Sequence, residues 1–300
     1  MFDTTPMLDC NGRALRLDRP RICGILNLTA DSFSGDGLRD DIEAAVAQGI
    51  AMVDQGADLL DVGAESTRPG ATPVEAATEA ERVAPVVEAL ARRVEVPISV
   101  DTSKPEVMRA AVAAGAGMIN DVHALRREGA LDAAAELKVP VCLMHMQGEP
   151  GTMQDDPHYD DVVGEVYRFL AERVFACEMA GIDKRLVLVD PGFGFGKTLE
   201  HNLALLRALE RFRDLAAGVL VGVSRKAMIG TLTGRKGGAE RAAGSAAAAL
   251  IAVQRGAMIV RVHDIAATRD ALAVWQAVHA GDVPAKPEPE PFGSQRFGDD

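Results

Sequence analysis

PISVDTSKPEVMRAAVAAGAGMIND, residues 97–121, contains the pattern that decides the fold. The apolar run PISVD is followed by an amphipathic stretch at residues 105–115, and a second apolar run, GMIND, follows that stretch. Short apolar runs are typical of buried strands, and the longer amphipathic stretch is typical of a helix. Strands joined through a helix are parallel, because a parallel pair needs a long crossover connection. These residues therefore predict a βαβ unit.

The same alternation extends over most of the chain. There are eight apolar runs: RICGILN, ADLLDVG, PISVD, GMIND, PVCLMH, RLVLVD, GVLVGVS and MIVRVH. Amphipathic stretches lie between them at residues 41–56, 74–94, 105–115, 159–181, 199–212 and 239–256. Eight repeats predict an α/β fold whose strands close into a (β/α)₈ TIM barrel. The alternative is a doubly wound open sheet, because alternation alone does not prove closure.

Both ends of the chain differ from this pattern. Residues 1–20 contain two short apolar stretches around Asn11-Gly12, the dipeptide that most strongly signals a two-residue turn. We expect a small β-hairpin there that covers the bottom of the barrel. Residues 21–281 contain all eight repeats and are expected to form one domain. Residues 282–300 alternate proline with charge, and we expect a disordered tail.

Composition limits the class of protein. Of the 300 residues, 48% are hydrophobic and 25% are charged, as in globular domains. The formal net charge of -12 argues against nucleic acid as a partner. No apolar run approaches the roughly 18 residues of a membrane span, and the first residues lack a signal-peptide pattern. We therefore expect a cytoplasmic protein without a membrane partner, with Cys10, Cys23, Cys142 and Cys177 as free thiols.

Nearly every apolar run ends in a residue that hydrogen-bonds or carries charge. These residues are Asn27, Asp61, Asp101, Asn120-Asp121, His145, Asp190, Ser224-Arg225-Lys226 and Arg261-Val262-His263. In a parallel barrel the C-terminal ends of all strands meet at one face, where active sites lie. Each residue alone could instead cap the following helix. Capping does not explain the whole series, since cations are poor partners for helix N-termini. The series predicts one polar mouth.

The first chemical set at this mouth is rich in acceptors. Asp101, Asn120 and Asp190 offer two carboxylates and one amide, which suits a heterocycle with adjacent N–H and NH₂ groups. Lys226 can serve this set or the second one. We therefore expect a flat heterocycle to be bound by its edge.

The second set is suited to an anion with several oxygens. Its members are Ser66, Thr67, Arg68, Arg261 and His263, which supply hydroxyl, guanidinium and imidazole donors. Read alone, Arg68 would be an ordinary solvated charge. Because the chain is acidic overall, an anionic ligand has to be held by cations concentrated in one place.

The glycine-rich segment DPGFGFGKT, residues 190–198, differs from known nucleotide loops. Three residues, not four, separate Gly192 from Gly196 before Lys197, so the phosphate-loop spacing fails, and the GxGxxG spacing fails as well. We expect the glycines to let the backbone approach a ligand while Phe193 or Phe195 forms an apolar wall. Plain core packing is the alternative for either ring.

Met144 and Met146 flank His145 at the end of the fifth run. Met144 is a candidate substrate contact, whereas Met146 is expected in the core, and His145 could be a satisfied core histidine. No cluster of His, Cys and carboxylates has a convincing metal-ligand spacing. A Mg²⁺ ion held mainly by the phosphates of a ligand is compatible with this sequence.

Eight segments, one at each predicted strand, read GILNLTADSFSGDG, GADLLDVGAESTRPG, PISVDTSK, MINDV, LMHMQGEPGTMQ, LVDPGFGFGKTLEHN, GVSRKAMIG and RVHD. In this order, from about Ile22 to Leu272, they resemble segments of dihydropteroate synthases. The resemblance implies a homodimeric (β/α)₈ barrel. It also implies an enzyme of folate synthesis that joins 6-hydroxymethyl-7,8-dihydropterin diphosphate to 4-aminobenzoate and releases diphosphate.

The resemblance implies substrate contacts for individual residues. The pterin would be held by Asp101, Asn120, Asp190 and Lys226. The 4-aminobenzoate site would be bordered by Phe195, Ser224 and the loop residue Phe33.

The diphosphate contacts are implied in the same way. They are Asn27, Thr67, Arg68, Arg261 and His263, with Mg²⁺ beside Asn27. We expect catalysis to consist mainly of stabilising the leaving group through Arg68, Arg261, His263 and Mg²⁺, with Lys226 assisting at the pterin, and to need no covalent nucleophile.

Two other functions fit part of the pattern. Folate-dependent methyltransferases share the pterin pocket but have no need of the anion set, so Thr67-Arg68 and Arg261-Val262-His263 favour the synthase. A catalytically silent paralogue would lack a residue of one set, and none is missing.

Three positions depart from the family pattern. The family usually has proline at the position of Ala30, a glycine pair near Asp36-Gly37, and often arginine at the position of Gly151. Without the proline the first loop has more freedom in the unfolded chain. We therefore expect these departures to affect the closure of the loops after the first two strands.

Overall fold

The strands close into a barrel. The computed structural model describes residues 6–28, 38–66 and 73–280. Eight parallel strands pair in the circular order β10-β3-β4-β5-β6-β7-β8-β9. Their bounds are β3 Arg21–Asn27, β4 Leu59–Gly63, β5 Ile98–Asp101, β6 Met118–Asp121, β7 Val141–Met144, β8 Val187–Asp190, β9 Gly218–Val221 and β10 Ala257–Val262. The predicted TIM barrel is confirmed, and the open-sheet alternative is wrong.

The helices pack around the outside of this barrel. Six of them match the predicted amphipathic stretches: α1 Leu38–Asp54, α2 Ala76–Ala91, α3 Pro105–Ala113, α5 Val162–Met179, α6 Leu199–Arg207 and α8 Ala242–Gln254. Three were not predicted: α4 Ala130–Leu137, α7 Ala227–Thr233 and α9 Ile265–Ala280. The first two have only eight and seven residues, which is about two turns and too short to show a clear period. Within the described ranges, no helix combines the length and apolar character that a membrane crossing needs.

Alternate residues of each strand face two different cores. Residues such as Leu60, Val100, Ile119 and Val260 pack outward in the large cluster between the strands and the helices. The neighbouring residues point into the barrel, because side chains alternate along a strand. Both faces are buried, which explains why the strands read as continuous apolar runs.

The N-terminal hairpin fills one end of the barrel. Strands β1, Met7–Cys10, and β2, Arg13–Arg16, pair antiparallel, and Asn11 and Gly12 both have positive φ, as a two-residue type I′ turn requires. The apolar side of the hairpin packs on inward-facing residues near the starts of the barrel strands. The cluster comprises Leu8, Cys10, Leu15, Leu17, Cys23, Leu59, Met118, Cys142, Leu188, Leu220 and Ile259. The hairpin prediction is confirmed, and these contacts place it opposite the C-terminal ends of the strands.

Gly117 shows how closely the hairpin approaches the barrel. A Cβ atom at this position would lie 2.1 Å from the carbonyl oxygen of Cys10, so only glycine fits without a backbone shift. Beside this contact, the Asn11 amide donates to the carbonyl oxygen of Ala116 at 3.2 Å. The predicted tail at 282–300 lies outside the described residues.

Candidate active site

The inward-facing residues change from apolar to polar toward the C-terminal ends of the strands. Two residues beyond Leu59, Met118, Leu188 and Ile259 of the apolar layer, the next inward positions form a polar layer. Its members are Asp61, Asn120, Asp190 and Arg261, together with Asp101 on β5. Strand pairing places Asp101 beside Asn120 and Met144 beside Asp190. The polar mouth predicted from the strand ends is therefore present in the structure.

Arg261 is the centre of this polar layer. Its Nε donates to Oδ2 of Asp61 at 2.5 Å, and its Nη2 donates to Oδ2 of Asp101 at 2.7 Å. The amide of Asn120 donates to the same Asp61 oxygen at 3.0 Å. Sequence reasoning placed Arg261 with the anion set and gave no role to Asp61. In the structure one guanidinium joins the acceptor set to the anion set.

Burial and neighbouring charges shift the pKa values of Asp101 and Arg261 in this cluster. Burial raises the pKa of Asp101 to about 7, against the opposing effect of Arg261, and Asp61 raises it further. Burial alone would lower the pKa of Arg261, but Asp61 and Asp101 raise it well above its usual value, so the guanidinium stays charged. The second oxygen of Asp61, Oδ1, is buried and has no hydrogen-bond partner among the described residues.

Asp190 and Lys226 form a second charged pair at the mouth. Oδ1 of Asp190 accepts from the backbone N–H of Gly192 at 2.7 Å. Burial raises the pKa of Asp190 to about 6, while that hydrogen bond and Lys226 oppose the shift. Burial lowers the pKa of Lys226 to about 8, and Asp190 opposes this shift. Near neutral pH the pair therefore presents a carboxylate and an ammonium group.

Phe195 forms an apolar wall beside this pair. The Nζ of Lys226 lies 4.0 Å from the centroid of the Phe195 ring, a cation–π contact. The ring also belongs to a small apolar cluster at the mouth with Val122, Met144, Met146 and Met153. Phe193, by contrast, packs in the large outer core. Of the two phenylalanines, only Phe195 faces the site.

Ser224 and His263 meet at the ends of β9 and β10. Oγ of Ser224 lies 3.1 Å from the backbone nitrogen of His263 and 3.1 Å from its ring Nδ1. Burial lowers the pKa of His263 to about 4, and the charges of Arg225 and Arg261 add to this effect. The imidazole is therefore neutral at pH 7 in the free protein, and it offers a neutral N–H to an anion and not a full charge.

An ion pair that sequence reasoning missed holds these two strand ends together. Arg225 contacts Asp264 through two bonds, Nε to Oδ2 at 3.0 Å and Nη2 to Oδ1 at 2.5 Å. The pair connects the residue between Ser224 and Lys226 to the residue after His263. The signal was present in the sequence only as two opposite charges 39 positions apart.

Not all the polar strand ends face the site. Asp121 accepts from the backbone N–H groups of His123 and Leu125, each at 2.8 Å, so it shapes the following loop, as the capping alternative proposed. His145 is buried and contacts Lys197 at 2.9 Å, which agrees with its reading as a satisfied core histidine.

Buried charged residues anchor the described ends of the loop that follows β4. Nζ of Lys104 lies 2.9 Å from Oε2 of Glu65, and it also contacts the fully buried Glu79. Oε1 of Glu65 accepts from the backbone N–H of Val74 at 3.0 Å. Sequence reasoning missed these residues, because nothing in the pattern marks Glu79 as an internal charge. The predicted site residues Phe33, Thr67 and Arg68, like Ala30 and Asp36-Gly37, lie outside the described residues.

Asn27 is the one predicted metal contact. It ends β3 opposite Gly63 and is half-buried, so its amide oxygen, a hard donor, lies at the rim of the mouth. Among the residues that the structure describes, no group of three His, Cys, Asp or Glu side chains could hold a metal ion. A metal at this rim would need further oxygens from a ligand.

Comparison with protein families identifies the barrel. The sequence model of the family described as pterin binding enzyme matches residues 23–263, most of the chain. The dihydropteroate synthase of Escherichia coli strain K12 is 52% identical over 270 residues, covering 90% of this chain and 95% of that protein. The dihydropteroate synthase of Haemophilus influenzae is 50% identical over 270 residues, covering 90% and 98%.

Solved structures give the same result at the level of the fold. Dihydropteroate synthase of Xanthomonas albilineans with 4-aminobenzoic acid superimposes with a TM-score of 0.88 at 62% identity, covering 92% of this chain and 99% of that one. The same enzyme in complex with 7,8-dihydropteroate gives a TM-score of 0.84 at 59% identity, with the same coverage. The sequence match, the barrel and the polar mouth agree, and the chain belongs to the dihydropteroate synthase family of pterin-binding transferases.

Proposed function

We propose that this chain joins 6-hydroxymethyl-7,8-dihydropterin diphosphate to 4-aminobenzoate, forming 7,8-dihydropteroate and diphosphate for folate synthesis. The observation that carries the proposal is that Arg261 connects the acceptor set to the anion set. Arg261 contacts Asp101 of the acceptor set while it lies at the end of the strand that leads to His263. Arg261 could therefore contact both parts of a single ligand that contains a heterocycle and an anionic group.

The pterin is proposed to bind edge-on against the acceptor set. Its N–H and NH₂ groups donate to Asp101 and Asp190, and Asn120 supplies a group that both donates and accepts. Lys226 donates to a ring acceptor. The raised pKa of Asp190 and of Asp101 follows from burial, and a donor on the ligand relieves that cost by pairing with the carboxylate.

The diphosphate is proposed to bind on the opposite side of Arg261. The third guanidinium nitrogen, Nη1, has no partner among the described residues and can donate to a phosphate oxygen. His263 adds a neutral N–H, and a nearby anion would raise its pKa by favouring the charged form. Thr67 and Arg68, which lie outside the described residues, are proposed to complete this subsite.

The chemical step exchanges one bond for another at the pterin methylene carbon. The C–O bond to diphosphate breaks and its electron pair leaves with the diphosphate, while the electron-rich pterin delocalises the positive charge. The aromatic amine then forms the C–N bond, and its proton passes to water or to the released diphosphate. Arg68, Arg261 and His263 stabilise the leaving group, and the mouth orients the two substrates.

Mg²⁺ fits the donors at the rim of the mouth only in part. Asn27 offers one hard oxygen ligand, and diphosphate oxygens would supply others, as Mg²⁺ sites on phosphates commonly do. When bound, the ion would neutralise charge on the leaving group. We therefore propose Mg²⁺ as the metal of this site, with Asn27 as its protein ligand.

The 4-aminobenzoate is proposed to bind beside Phe195. The ring of Phe195 and the neighbouring Met144 form the apolar wall. Ser224 and Phe33, of which Phe33 lies outside the described residues, are proposed to border the site. The methyltransferase alternative needs no leaving-group site, and the neighbouring Arg261 and His263 favour the synthase over it. The silent-paralogue alternative is decided by the assay below.

We also propose a cytoplasmic homodimer. The four cysteines are all free and buried, as expected in a reducing compartment. Large apolar side chains are exposed on α7, α8 and α9 at Leu232, Ile251, Val274 and Val278, which supports an interface on these helices. Of the small residues of α8, Ala249 and Ala252 are fully buried against the barrel, whereas Ala243 and Ala247 are exposed on the same helix face as Ile251.

Sedimentation tests the dimer directly. The expected mass is twice the 31.7 kDa of the chain, and Ile251→Glu, which places a charge in the exposed apolar set, should shift the boundary toward the monomer. Met7→Glu, an exposed apolar residue on the hairpin, is the matched control and should leave the mass unchanged. A wild-type protein of single-chain mass at micromolar concentration would contradict the proposal.

Diphosphate release tests the reaction. Wild-type protein with pterin diphosphate, 4-aminobenzoate and Mg²⁺ should release diphosphate only when 4-aminobenzoate is present. Arg261→Met should lower kcat by about a hundredfold or more, because a lost preorganised charge typically costs about 3 kcal/mol. Arg261→Lys keeps the charge but loses a hydrogen bond, and it should lie between the two.

Melting curves should accompany both variants, since Arg261 also pairs with buried carboxylates. Near-normal turnover of a folded Arg261→Met protein would contradict the proposed leaving-group role. Absence of any release that depends on 4-aminobenzoate in the wild type would contradict the proposed reaction itself.

The pH dependence tests Lys226. Lys226 loses its proton as the pH rises through about 8, so kcat/KM for the pterin substrate should fall above this pH. At the acid end, Asp190 and Asp101 take up protons as the pH falls through about 7 to 6, which removes acceptors. Lys226→Arg should move the alkaline limb to above about pH 9, because a guanidinium keeps its proton. The acid limb serves as the internal control, and an unmoved alkaline limb would refute the assignment.

A further inference from the structure

Lys197 is a buried lysine to which the proposed reaction assigns no role. Its side chain is almost fully enclosed, and no carboxylate pairs with it by a salt bridge among the described residues. Instead Nζ lies 2.9 Å from Nδ1 of His145, 2.9 Å from the carbonyl oxygen of Gly192 and 2.9 Å from that of Phe195. A fourth contact, 3.3 Å, joins Nζ to the carbonyl oxygen of His145.

Burying the Lys197 amine costs free energy, and the amine binds a specific set of four acceptors. A buried ammonium group loses its hydration, and burial lowers the pKa of Lys197 to about 7 while Asp190 opposes the shift. Burial, followed by the charge of Lys197, lowers the pKa of His145 to about 2, so the imidazole is neutral and can accept at Nδ1. A methionine of similar length would fill the same space but would bind none of the four acceptors. What Lys197 adds to packing is therefore control over the direction of backbone carbonyls.

The carbonyls that it binds belong to the glycine loop, defined here as residues 191–197. Gly192, Gly194 and Gly196 all have positive φ, with values of 71°, 78° and 62°. A Cβ atom at Gly192 would lie 1.8 Å from the carbonyl oxygen of His145, so the loop passes directly against the end of β7. Three glycines in so short a segment have large conformational freedom in the absence of external contacts.

The loop presents one side chain to the mouth, that of Phe195. Its ring packs with Met144 and Met146 and lies below the ammonium group of Lys226, while its own carbonyl oxygen accepts from Lys197. Lys197 thus binds the backbone of the same residue whose ring forms the apolar wall. Phe195 is also held by its backbone N–H, which donates at 3.2 Å to the carbonyl oxygen of Gly192, itself an acceptor of Lys197. Other contacts of the loop, such as Tyr159 Oη to the carbonyl oxygen of Gly196 at 2.9 Å, hold other residues.

We propose that Lys197, with His145 as its side-chain acceptor, is a positioning residue that fixes Phe195 against Lys226 and so sets the affinity for 4-aminobenzoate. It acts from behind the wall and contacts no substrate. This inference rests on the proposed function, because it names a determinant of the same aminobenzoate subsite.

Steady-state kinetics for both substrates test the inference. Lys197→Met keeps the bulk but removes the donors, and it should raise KM for 4-aminobenzoate about tenfold or more. KM for the pterin substrate and kcat should each stay within about threefold of the wild type, since the polar layer and the leaving-group residues are untouched. A general loss of structure would not separate the two substrates in this way.

A double-mutant cycle tests whether Lys197 acts through Phe195. Phe195→Leu should itself raise KM for 4-aminobenzoate, and adding Lys197→Met to it should raise KM no further. Multiplied effects of the two substitutions would mean that Lys197 acts by another route, and they would overturn the proposal.

His145 supplies the matched pair of variants. His145→Asn retains a side-chain acceptor close to the position of Nδ1 and should stay near the wild type, whereas His145→Leu removes the acceptor and should follow Lys197→Met. If Lys197→Met does not fold, as judged by circular dichroism and melting, the two His145 variants decide the question. A higher KM for 4-aminobenzoate in His145→Leu than in His145→Asn is the expected result, and equal KM values would overturn the proposal.

Two results separate this inference from the proposed function. If the wild type is active, two results in Lys197→Met would overturn the positioning role alone. One is an equal rise in the KM values for both substrates, and the other is an unchanged KM for 4-aminobenzoate. A wild type that releases no diphosphate in response to 4-aminobenzoate would overturn both.

Discussion

The pairing of Arg261 with Asp61 and Asp101 is the interaction on which the rest of the mouth depends. Removing two carboxylates from water is costly unless an opposite charge and hydrogen bonds replace the lost hydration. One guanidinium supplies both at 2.5 and 2.7 Å, and Asn120 adds a third contact to Asp61. Without Arg261, like charges on the adjacent strands β4 and β5 would repel in a buried space. Its presence lets the inward layer of the barrel change from apolar to charged within two residues.

This arrangement also explains how one acidic protein can bind both a heterocycle and an anion. Asp101 and Asp190 remain at the mouth as acceptors whose pKa is raised by burial, ready to pair with donors of a flat ring. Nη1 of Arg261 has no hydrogen-bond partner among the described residues and can donate to an anion near His263. Because the guanidinium is already held by carboxylates, it loses little freedom when a ligand arrives, which is the advantage of a preorganised site.

Much of the fold could be predicted from the sequence, because it follows from rules of local geometry. Alternating runs such as PISVD and GMIND dictate parallel strands, and parallel strands that close into a barrel bring their C-terminal ends together. Asn11-Gly12 marked the hairpin for a similarly local reason, since both residues adopt positive φ. The short helices α4 and α7 were missed because two turns carry too little periodicity.

The electrostatics of the mouth could not be predicted in the same way. Arg261 lies 200 positions from Asp61 in the chain, and no local pattern says that these side chains meet. His263 was expected to bind the anion, but whether its imidazole carries charge depends on its pKa, which burial and neighbouring charges set only in the folded chain. Lys197 was noted only as part of a failed phosphate-loop spacing, and its four acceptors come from His145 after β7 and from the glycine loop after β8. Long-range contacts of this kind require the structure.

A double-mutant cycle between Asp61 and Arg261 tests the central claim most directly. The free energy of unfolding would be measured by denaturant titration for Asp61→Asn, Arg261→Met, the double variant and the wild type. If the guanidinium is what makes the buried carboxylate tolerable, Arg261→Met should destabilise strongly, by about 3–5 kcal/mol, and the double variant should recover about 1–3 kcal/mol relative to the sum of the single changes. Effects that add to within about 0.5 kcal/mol would contradict the account, because they would mean that the two residues do not depend on each other.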